Sequence, residues 1–260
     1  MDKKRIAILG AGHIGTALLQ GLLSTDKANK EYIIATDPNA EHLKNLQETF
    51  GIITTTNNRE AVEKADIIIL AVKPMIAQSV ITEIADRLKS KILISFALGV
   101  RLATLAGFAK NTSQKIVRVM PNMPIAMQQG AIGFLANEYV SQDELKQLMT
   151  FFSQLGKMFV TKTEEEFIFF SLIPGCGPAL VSYFLQTFVD GAKAFGLSQE
   201  NSQEIARQVF SGTLRYLQFM KISPKELMEK VATKGGVTEK ILSSMEEKNI
   251  SKNFLESVQE

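Results

Sequence analysis

The sequence holds few of the residues that disulfides and metal sites require. Its 260 residues include one cysteine, two histidines and no tryptophan. A lone cysteine, Cys176, cannot form an internal disulfide, and this composition suits a reducing compartment. One cysteine and two histidines are also too few for a zinc site built from those ligands, so we expect no metal.

Long apolar stretches and a strong net charge are absent as well. The chain has no run of about 18 consecutive apolar residues, the length that a membrane-spanning helix requires. A net charge of +2 gives no general attraction to nucleic acid or to a membrane surface. The hydrophobic fraction of 45% and the charged fraction of 22% are ordinary for a globular protein. We therefore expect a soluble, cytoplasmic protein that has no nucleic-acid or membrane partner.

The chain does show a regular alternation of short apolar runs and amphipathic stretches. The predicted strands span residues 5–9, 32–36, 52–54, 67–72, 92–96, 116–119, 131–135 and 158–161. Helical patterns separate most of them, as at residues 14–23, 40–50 and 76–88. Ser141 with Glu144 predicts a capping box for a further helix that stops near residue 155. Because the strands are continuously apolar, both sheet faces should be buried, which indicates a mostly parallel sheet covered by helices.

Strand patterns end after residue 162, where we place a domain boundary, and the rest of the chain is helical in pattern. Thr163 with Glu166 predicts the start of one helix. Gly177–Pro178 separates it from a second helix, and Ser198 predicts the cap of a third. The segment SPKE then combines an N-cap serine, a proline at the first helical position and a capping-box glutamate.

The stretch IAILGAGHIG near the start of the chain places three glycines between a predicted strand and a predicted helix. A secretory signal would need a longer unbroken apolar run, whereas glycines and His13 interrupt this one after four residues. Gly10, Gly12 and Gly15 instead form G-x-G-x-x-G, which provides a tight turn, close approach to a pyrophosphate and close helix–strand packing. The backbone at His13 and Ile14 then opens a helix whose N–H groups face the anion. No acid or nucleophile stands beside the His13 side chain, so we expect no catalytic role for it.

Asp37 follows the second predicted strand, 22 positions after Gly15. A carboxylate at this point can accept hydrogen bonds from the ribose 2′-hydroxyl of a dinucleotide and repel a 2′-phosphate. The alternative is that Asp37–Pro38–Asn39 simply forms a turn before a helix. If Asp37 meets the ribose, NADH should serve at least as well as NADPH.

Three further motifs carry information about the reaction. AVKP, from Ala71 to Pro74, ends the fourth predicted strand, at the carboxyl edge where open parallel sheets bind ligands. VRVMPNMP ends another strand with two prolines that bracket Asn122. ATKGGVT interrupts the helical half with two glycines followed by a hydroxyl residue.

These motifs together resemble the pyrroline-5-carboxylate reductase family over nearly the whole chain. The resemblance rests on the glycine loop, AVKP, SFALGV, RVMPNMP, PGCGPA and KVATKGGVT, in this order and spacing. It implies an α/β fold with an N-terminal Rossmann-type dinucleotide-binding domain, residues 1–162, and an all-helical C-terminal dimerisation domain, residues 163–260. It also implies NAD(P)H-dependent reduction of the C=N bond of 1-pyrroline-5-carboxylate to L-proline.

The resemblance assigns roles to residues of both predicted domains. It places the substrate carboxylate on backbone N–H groups of Gly235 and Gly236, aided by the hydroxyl of Thr233. It places Thr238 near the ring nitrogen, as the catalytic residue. Since that nitrogen can arrive protonated, no strong acid is obligatory. The implied contacts on the nicotinamide side are Ala71, Val72, Lys73, Pro74 and Asn122.

Structural alternatives stay open for most of these residues. Thr238 can simply cap the helix that follows it, and the two glycines before it can form only a turn. Lys73 and Pro74 can end a strand, and Asn122 can hold its own loop together. Cys176 lies near a helix start, where a thiol can be activated, but imine reduction needs no thiol and we expect a packing role.

The sequence departs from the family pattern in the substrate loop, where TKGGVT replaces the usual SPGGTT. Lys234 therefore stands in place of a proline and Val237 in place of a hydroxyl residue. A reductase of a related cyclic imine and a non-catalytic dinucleotide-binding paralogue are alternative functions. A β-hydroxyacid dehydrogenase is disfavoured, because the lysine that such an enzyme needs would fall at Val181, which cannot transfer a proton.

The segment after Gly177–Pro178 predicts oligomerisation. Its clearly polar positions form one narrow stripe, made of Ser182, Gln186, Asp190 and Lys193. Most of the remaining helix surface is apolar and needs burial. The 98 residues from 163 to 260 are too few to enclose it alone, so we expect a homodimer with a large hydrophobic interface. The family resemblance adds rings of dimers, and charged residues at Phe184 and Phe188 should leave insoluble or inactive protein.

Overall fold

A computed structural model describes residues 4–24 and 30–259 of the chain. The chain divides into two compact units, Met1–Val181 and Ser182–Glu260. The first unit contains one sheet with helices on both of its faces, and the second consists of helices.

The sheet of the first unit has eight strands in the order β3-β2-β1-β4-β5-β6-β7-β8. The strands are β1 Ile6–Leu9, β2 Ile33–Thr36, β3 Ile53–Thr55, β4 Ile67–Leu70, β5 Ile92–Ser95, β6 Lys115–Met120, β7 Gly130–Ala136 and β8 Gly156–Val160. Every neighbouring pair is parallel except β6 and β7, which are antiparallel. All eight predicted strands are present, and the prediction of a mostly parallel sheet is confirmed.

Within the described part of the chain, six α-helices connect these strands. They are α1 His13–Leu23, α2 Ala40–Phe50, α3 Asn58–Glu63, α4 Pro74–Ile84, α5 Leu102–Phe108 and α6 Gln142–Phe152. The capping box predicted for α6 is present, because Ser141 Oγ accepts from Glu144 N and the Glu144 carboxylate accepts from Ser141 N. A 3₁₀ turn, Ser153–Leu155, follows α6 and leads into β8. Another 3₁₀ turn, Met123–Met127, lies between β6 and β7 and packs against α1.

Both faces of the sheet are buried, as continuously apolar strands require. In β1, Ile6 and Ile8 belong to the hydrophobic core on one face, and Ala7 and Leu9 belong to the core on the other. Strands β4 and β5 divide their side chains between the same two cores. Because successive side chains alternate between the two faces, each core receives every second residue of these strands.

Residues Glu164–Ala194 form one continuous helix of 31 residues, α7, which runs from the first unit into the second. Its start is capped as predicted, since Glu166 N donates to Thr163 Oγ1. The prediction of two helices separated at Gly177–Pro178 is wrong, because both Pro174 and Pro178 lie inside α7. The carbonyl oxygen of Pro174, which loses its helical donor at Pro178, accepts a hydrogen bond from the side chain of Asn122 instead.

A buried ion pair fixes the start of α7 to the sheet, and the sequence analysis did not predict it. The side chain of Arg118 on β6 is 1% exposed, and its Nη1 donates to Glu164 Oε2. Leu102 N, at the start of α5, donates to Glu164 Oε1 at 2.7 Å. The guanidinium also lies over the ring of Phe167, 4.4 Å from its centre. Burial lowers the pKa of Arg118, and the charge of Glu164 opposes that shift.

The second unit contains the end of α7 and four further helices. These are α8 Gln199–Met220, α9 Pro224–Val231, α10 Val237–Glu247 and α11 Ile250–Gln259. The predicted caps are present: Ser198 Oγ accepts from Asn201 N, and Ser223 forms a capping box with Glu226. Hydrogen bonding to Ser223 lowers the pKa of Glu226.

Large apolar side chains are exposed over much of the second unit. Within its described residues, the buried hydrophobic side chains are Val189 and Ala206, whereas Tyr183 is 70% and Phe219 is 84% exposed. Among the described residues, α7 is also the one helix that is long and apolar enough to cross a membrane, with 6% of its apolar window buried. The apolar surface of this unit therefore needs a covering that the single chain does not provide.

Candidate dinucleotide site and substrate loop

The glycine loop joins β1 to α1 and passes very close to the end of β4. Gly10 has a φ of +92°, and a Cβ atom added to it would lie 2.7 Å from Val72 Cγ1 and 2.9 Å from the carbonyl oxygen of Ala71. A Cβ atom on Gly15 would lie 2.3 Å from the carbonyl oxygen of Gly10. Both positions therefore exclude any larger residue, the first through a left-handed backbone and the second through packing between helix and strand.

Gly12 differs from these two glycines because it faces open space. It is the N-cap residue of α1, with a φ of −64°, and a Cβ atom added to it would meet no other atom within 4 Å. Among the residues that the structure describes, no side chain caps α1, and its first turn, which begins at His13 and Ile14, contains no acidic residue. Open space in front of uncapped N–H groups fits a pyrophosphate, which the helix dipole would attract.

Both backbone groups of the buried residue Ala11 are held by side chains. Ala11 N donates to Asp37 Oδ2 at 3.2 Å. Its carbonyl oxygen accepts from Thr16 Oγ1 at 2.8 Å and lies 2.7 Å from His42 Nε2. Asp37 Oδ1 also accepts from Asn39 N at 3.0 Å, which is the turn that the sequence analysis kept as an alternative. The β2–α2 connection thus holds the glycine loop in place, whereas a contact of Asp37 with a ribose stays a prediction.

A cleft of 360 Å³ opens beside Gly12. The residues that line it are Gly12, His13, Thr16, Ala17, Gln20, His42, Met123 and Ala126. Both histidines of the chain are therefore in its wall. The role of His42 was not predicted, because no local pattern in the sequence shows that α2 turns this ring toward the glycine loop.

The AVKP segment follows β4, the strand that pairs with β1 on the side opposite β2. Ala71 N donates to the carbonyl oxygen of Leu9 at 2.8 Å, so the segment begins directly beside the glycine loop. Lys73 is the N-cap residue of α4, Pro74 is its first residue, and both are exposed at the carboxyl edge of the sheet. This position suits a cofactor contact, and it also fits the alternative of a strand end followed by a helix start.

Asn122 follows β6 and uses both ends of its side-chain amide within the chain. Its Nδ2 donates to the carbonyl oxygen of Pro174 at 3.1 Å, and its Oδ1 accepts from Ala131 N at 3.0 Å. These are the contacts of a residue that holds its own loop, one of the two interpretations drawn from the sequence. A contact between Asn122 and nicotinamide stays a prediction.

The TKGGVT loop of the second unit is a tight turn before α10. Gly235 has a φ of +77°, and a Cβ atom on Gly236 would lie 2.8 Å from Thr233 Oγ1, so both positions favour glycine. Gly235 N donates to Glu239 Oε2 at 2.6 Å, and Gly236 N donates to the carbonyl oxygen of Thr233 at 2.9 Å. The carboxylate of Glu239 therefore holds the turn, a contact that was not predicted from the sequence.

Helix α10 begins directly after this turn and leaves its first N–H groups without a side-chain cap. Gly236 is the N-cap residue, and Val237 and Thr238 are the first two helical residues. The alternative that Thr238 caps the helix is therefore wrong. Because Gly235 N and Gly236 N already have acceptors, the N–H groups of Val237 and Thr238 are the better placed donors for an anion.

Two segments of the chain match known protein families. Residues 5–99 match the family described as NADP oxidoreductase coenzyme F420-dependent. Residues 164–260 match the family described as pyrroline-5-carboxylate reductase dimerisation.

Relatives and solved structures match over nearly the full length. A pyrroline-5-carboxylate reductase of Methanosarcina acetivorans is 31% identical, covering 99% of this chain and 95% of the relative. One of Pseudomonas aeruginosa is 30% identical, covering 95% of this chain and 90% of the relative.

Among solved structures, Plasmodium falciparum pyrroline carboxylate reductase with NADP bound has a TM-score of 0.91 and 27% identity, covering 100% of this chain and 95% of that one. The Coxiella burnetii pyrroline-5-carboxylate reductase has a TM-score of 0.87 and 26% identity, covering 98% and 95%. The sequence and the fold agree over both units, and the chain belongs to the pyrroline-5-carboxylate reductase family.

Proposed function

We propose that the chain reduces the C=N bond of 1-pyrroline-5-carboxylate with NAD(P)H and releases L-proline. One observation carries this most directly: similarity to reductases of this name extends over 99% of the chain, including the segment that supplies the TKGGVT loop. The similar Plasmodium falciparum structure, which has NADP bound, supports a nicotinamide dinucleotide as the cofactor. Bound NAD(P)H supplies the hydride that the C=N carbon accepts.

The first unit would hold the cofactor. The N–H groups at the start of α1, behind the open face of Gly12, bind the pyrophosphate. Asp37, at the end of β2, accepts from the adenosine ribose. Ala71 to Pro74 contact the nicotinamide half, because β4 lies on the side of β1 away from Asp37.

The second unit would bind the substrate. Its carboxylate accepts hydrogen bonds from Val237 N and Thr238 N, with Thr233 and the turn at Gly235 and Gly236 shaping the loop around it. The Thr238 hydroxyl hydrogen-bonds to the ring nitrogen. These groups orient the iminium, and positioning is what hydride transfer to an already protonated imine requires.

We also propose that the protein works in the cytoplasm as a homodimer, with rings of dimers as a larger assembly, and without nucleic-acid or membrane partners. The dimerisation family matches residues 164–260, which supports a functional domain boundary after residue 162. It also supports a second copy of this chain, rather than a membrane, as the cover for the apolar surface of α7.

The test of the reaction follows NADH or NADPH oxidation by purified protein with 1-pyrroline-5-carboxylate and identifies L-proline as the product. Oxidation with a different cyclic imine alone would instead assign a related imine reductase. NAD(P)H binding without oxidation of any such substrate would assign a non-catalytic paralogue.

A matched pair of variants tests the cofactor site. Gly12→Ala should fold normally, since its Cβ atom meets nothing within 4 Å, yet it should weaken NAD(P)H binding in a fluorescence titration. Gly107→Ala, at an equally open position on α5, should bind the cofactor like the unmodified protein. Equal affinities for the two variants would place the pyrophosphate elsewhere.

A further inference from the structure

Helix α7 contains two prolines, and each of them removes the usual N–H donor of the carbonyl group four residues before it. In an α-helix the carbonyl oxygen of one residue accepts from the N–H group four residues later. For Pro174 that later residue is Pro178, which has no N–H group. A carbonyl left without a donor in this half-buried part of the helix would destabilise it.

Asn122 supplies the missing donor from a different part of the chain. Its Nδ2 lies 3.1 Å from the carbonyl oxygen of Pro174, 52 residues away in sequence. The other end of the same amide accepts from Ala131 N on β7 at 3.0 Å, so the orientation of the side chain is fixed from both ends. The loop after β6 is thereby bonded to α7 at the carbonyl group whose i+4 donor is missing at Pro178.

The same loop forms a wall of the cleft beside the glycine loop. Asn122 is the N-cap residue of the 3₁₀ turn Met123–Met127, and Met123 and Ala126 line the cleft. The turn lies directly on α1, because a Cβ atom on Gly21 would be 2.2 Å from the carbonyl oxygen of Ile125. A shift of Asn122 would therefore move a wall of this cleft, which reaches Gly12 and His13 at the proposed pyrophosphate site.

We infer that Asn122 is a positioning residue. Its side-chain amide donates to the carbonyl oxygen of Pro174, which has no N–H donor at Pro178, and so holds the wall of the cofactor cleft against α7. Its effect on the reaction rests on the proposed function, whereas its effect on stability does not. Pro178 and Asn122 then act together. Pro178 leaves the Pro174 carbonyl oxygen without its helical donor, and Asn122 donates to that oxygen and so fixes the loop after β6.

A double-mutant cycle with a matched control tests this inference. Pro178→Ala gives α7 an N–H group that can donate to the carbonyl oxygen of Pro174. Pro174→Ala is the control, because it also replaces a helical proline by alanine but adds no donor to that oxygen. Asn122→Ala is combined with each. Melting temperature and kcat are measured for all variants, together with the KM for substrate and the affinity for NAD(P)H.

Asn122→Ala alone should lower the melting temperature and reduce kcat roughly tenfold through misplacement of the cofactor cleft, with a smaller change in the substrate KM. In the Pro178→Ala background the loss of melting temperature should be clearly smaller, because the Pro174 carbonyl keeps a donor and only the hydrogen bond from Ala131 N is lost. In the Pro174→Ala background it should persist in full. The kcat defect should persist in both, since the loop has lost its bond to α7.

Equal losses of melting temperature in all three backgrounds would overturn the inference, because Asn122 would then not satisfy the Pro174 carbonyl. A normal kcat in Asn122→Ala, in a protein that does reduce pyrroline-5-carboxylate, would overturn the positioning role. If the protein lacks that activity, the melting temperatures still test the bond between Asn122 and the Pro174 carbonyl, and the NAD(P)H affinities still test the position of the cofactor cleft. Failure of the proposed function is therefore distinguished from failure of this inference.

Discussion

The carboxylate of Asp37 has two tasks in the proposed mechanism. It accepts from Ala11 N and Asn39 N within the chain. We also propose that its negative charge repels a ribose 2′-phosphate. A single side chain would thus shape the glycine loop and select the cofactor. The hydroxyl of Thr238 does not cap α10, because Gly236 is the N-cap residue of that helix.

Asp37→Ser should shift the cofactor preference toward NADPH, because it removes the negative charge that repels the 2′-phosphate and keeps a short polar side chain. The measurement is the ratio of kcat/KM values for NADPH and NADH. Glu41→Ser is a matched control, since it removes one exposed carboxylate from the first turn of α2. A ratio that changes equally in both variants, or in neither, would show that Asp37 points away from the ribose.

Thr238→Ala should reduce kcat roughly tenfold to a hundredfold, which is ~1.4–2.7 kcal/mol of barrier, if the hydroxyl holds the ring nitrogen. The melting temperature should stay nearly constant, because Thr238 is not the cap residue of α10. Thr238→Ser keeps the hydroxyl and should retain most of the rate. A Thr238→Ala variant with full turnover would remove this residue from the mechanism.

Helices and strands whose signals are local could be predicted from the sequence. The eight strands, the capping boxes at Ser141 and Ser223, and the glycine loop all depend on residues close together in the chain. Local rules placed a break at Gly177–Pro178, because they do not show that the Pro174 carbonyl inside α7 accepts from Asn122, 52 residues away in sequence. The contacts of His42 and Glu239 were missed for a related reason, since the pattern of a helix does not show which loop its side chains reach.

The start of α7 is stabilised by the buried pair of Arg118 and Glu164, and this gives a prediction for the helix as an element. Glu164→Gln can still accept from Leu102 N but leaves the guanidinium, which is 1% exposed, without its counter-charge. We expect a loss of about 3–5 kcal/mol in the free energy of unfolding, measured by urea denaturation at fixed protein concentration. Adding Arg118→Met should recover much of this loss, because no unpaired buried charge then remains. An equal or greater loss in the double variant would contradict an electrostatic role for Glu164.

At the scale of the whole molecule, the two units differ in how many of their apolar side chains they bury. The first unit buries apolar side chains on both faces of its sheet, whereas the second exposes many of its own. Phe184 packs on Phe254 and Phe188 on Phe210, so part of the apolar surface of α7 is covered within the unit. Even so, Phe188 remains 53% exposed. A second copy of the same helices is the natural cover, since the matching surfaces of two identical chains are self-complementary.

We therefore expect an assembly of two or more chains, measured by light scattering, against a single-chain mass of 28.7 kDa. Charged residues at Phe184 and Phe188 should leave insoluble or inactive protein, but these side chains also pack within the unit. Phe219→Glu separates the two effects, because Phe219 is 84% exposed in the single chain and its loss should weaken assembly more than folding. Lys193→Gln, on the polar stripe of α7, is the control, because it changes the net charge by the same amount at an exposed polar position, and it should assemble normally. A sharp monomer with full activity at micromolar concentration would show that the second unit is stable with its apolar surface uncovered.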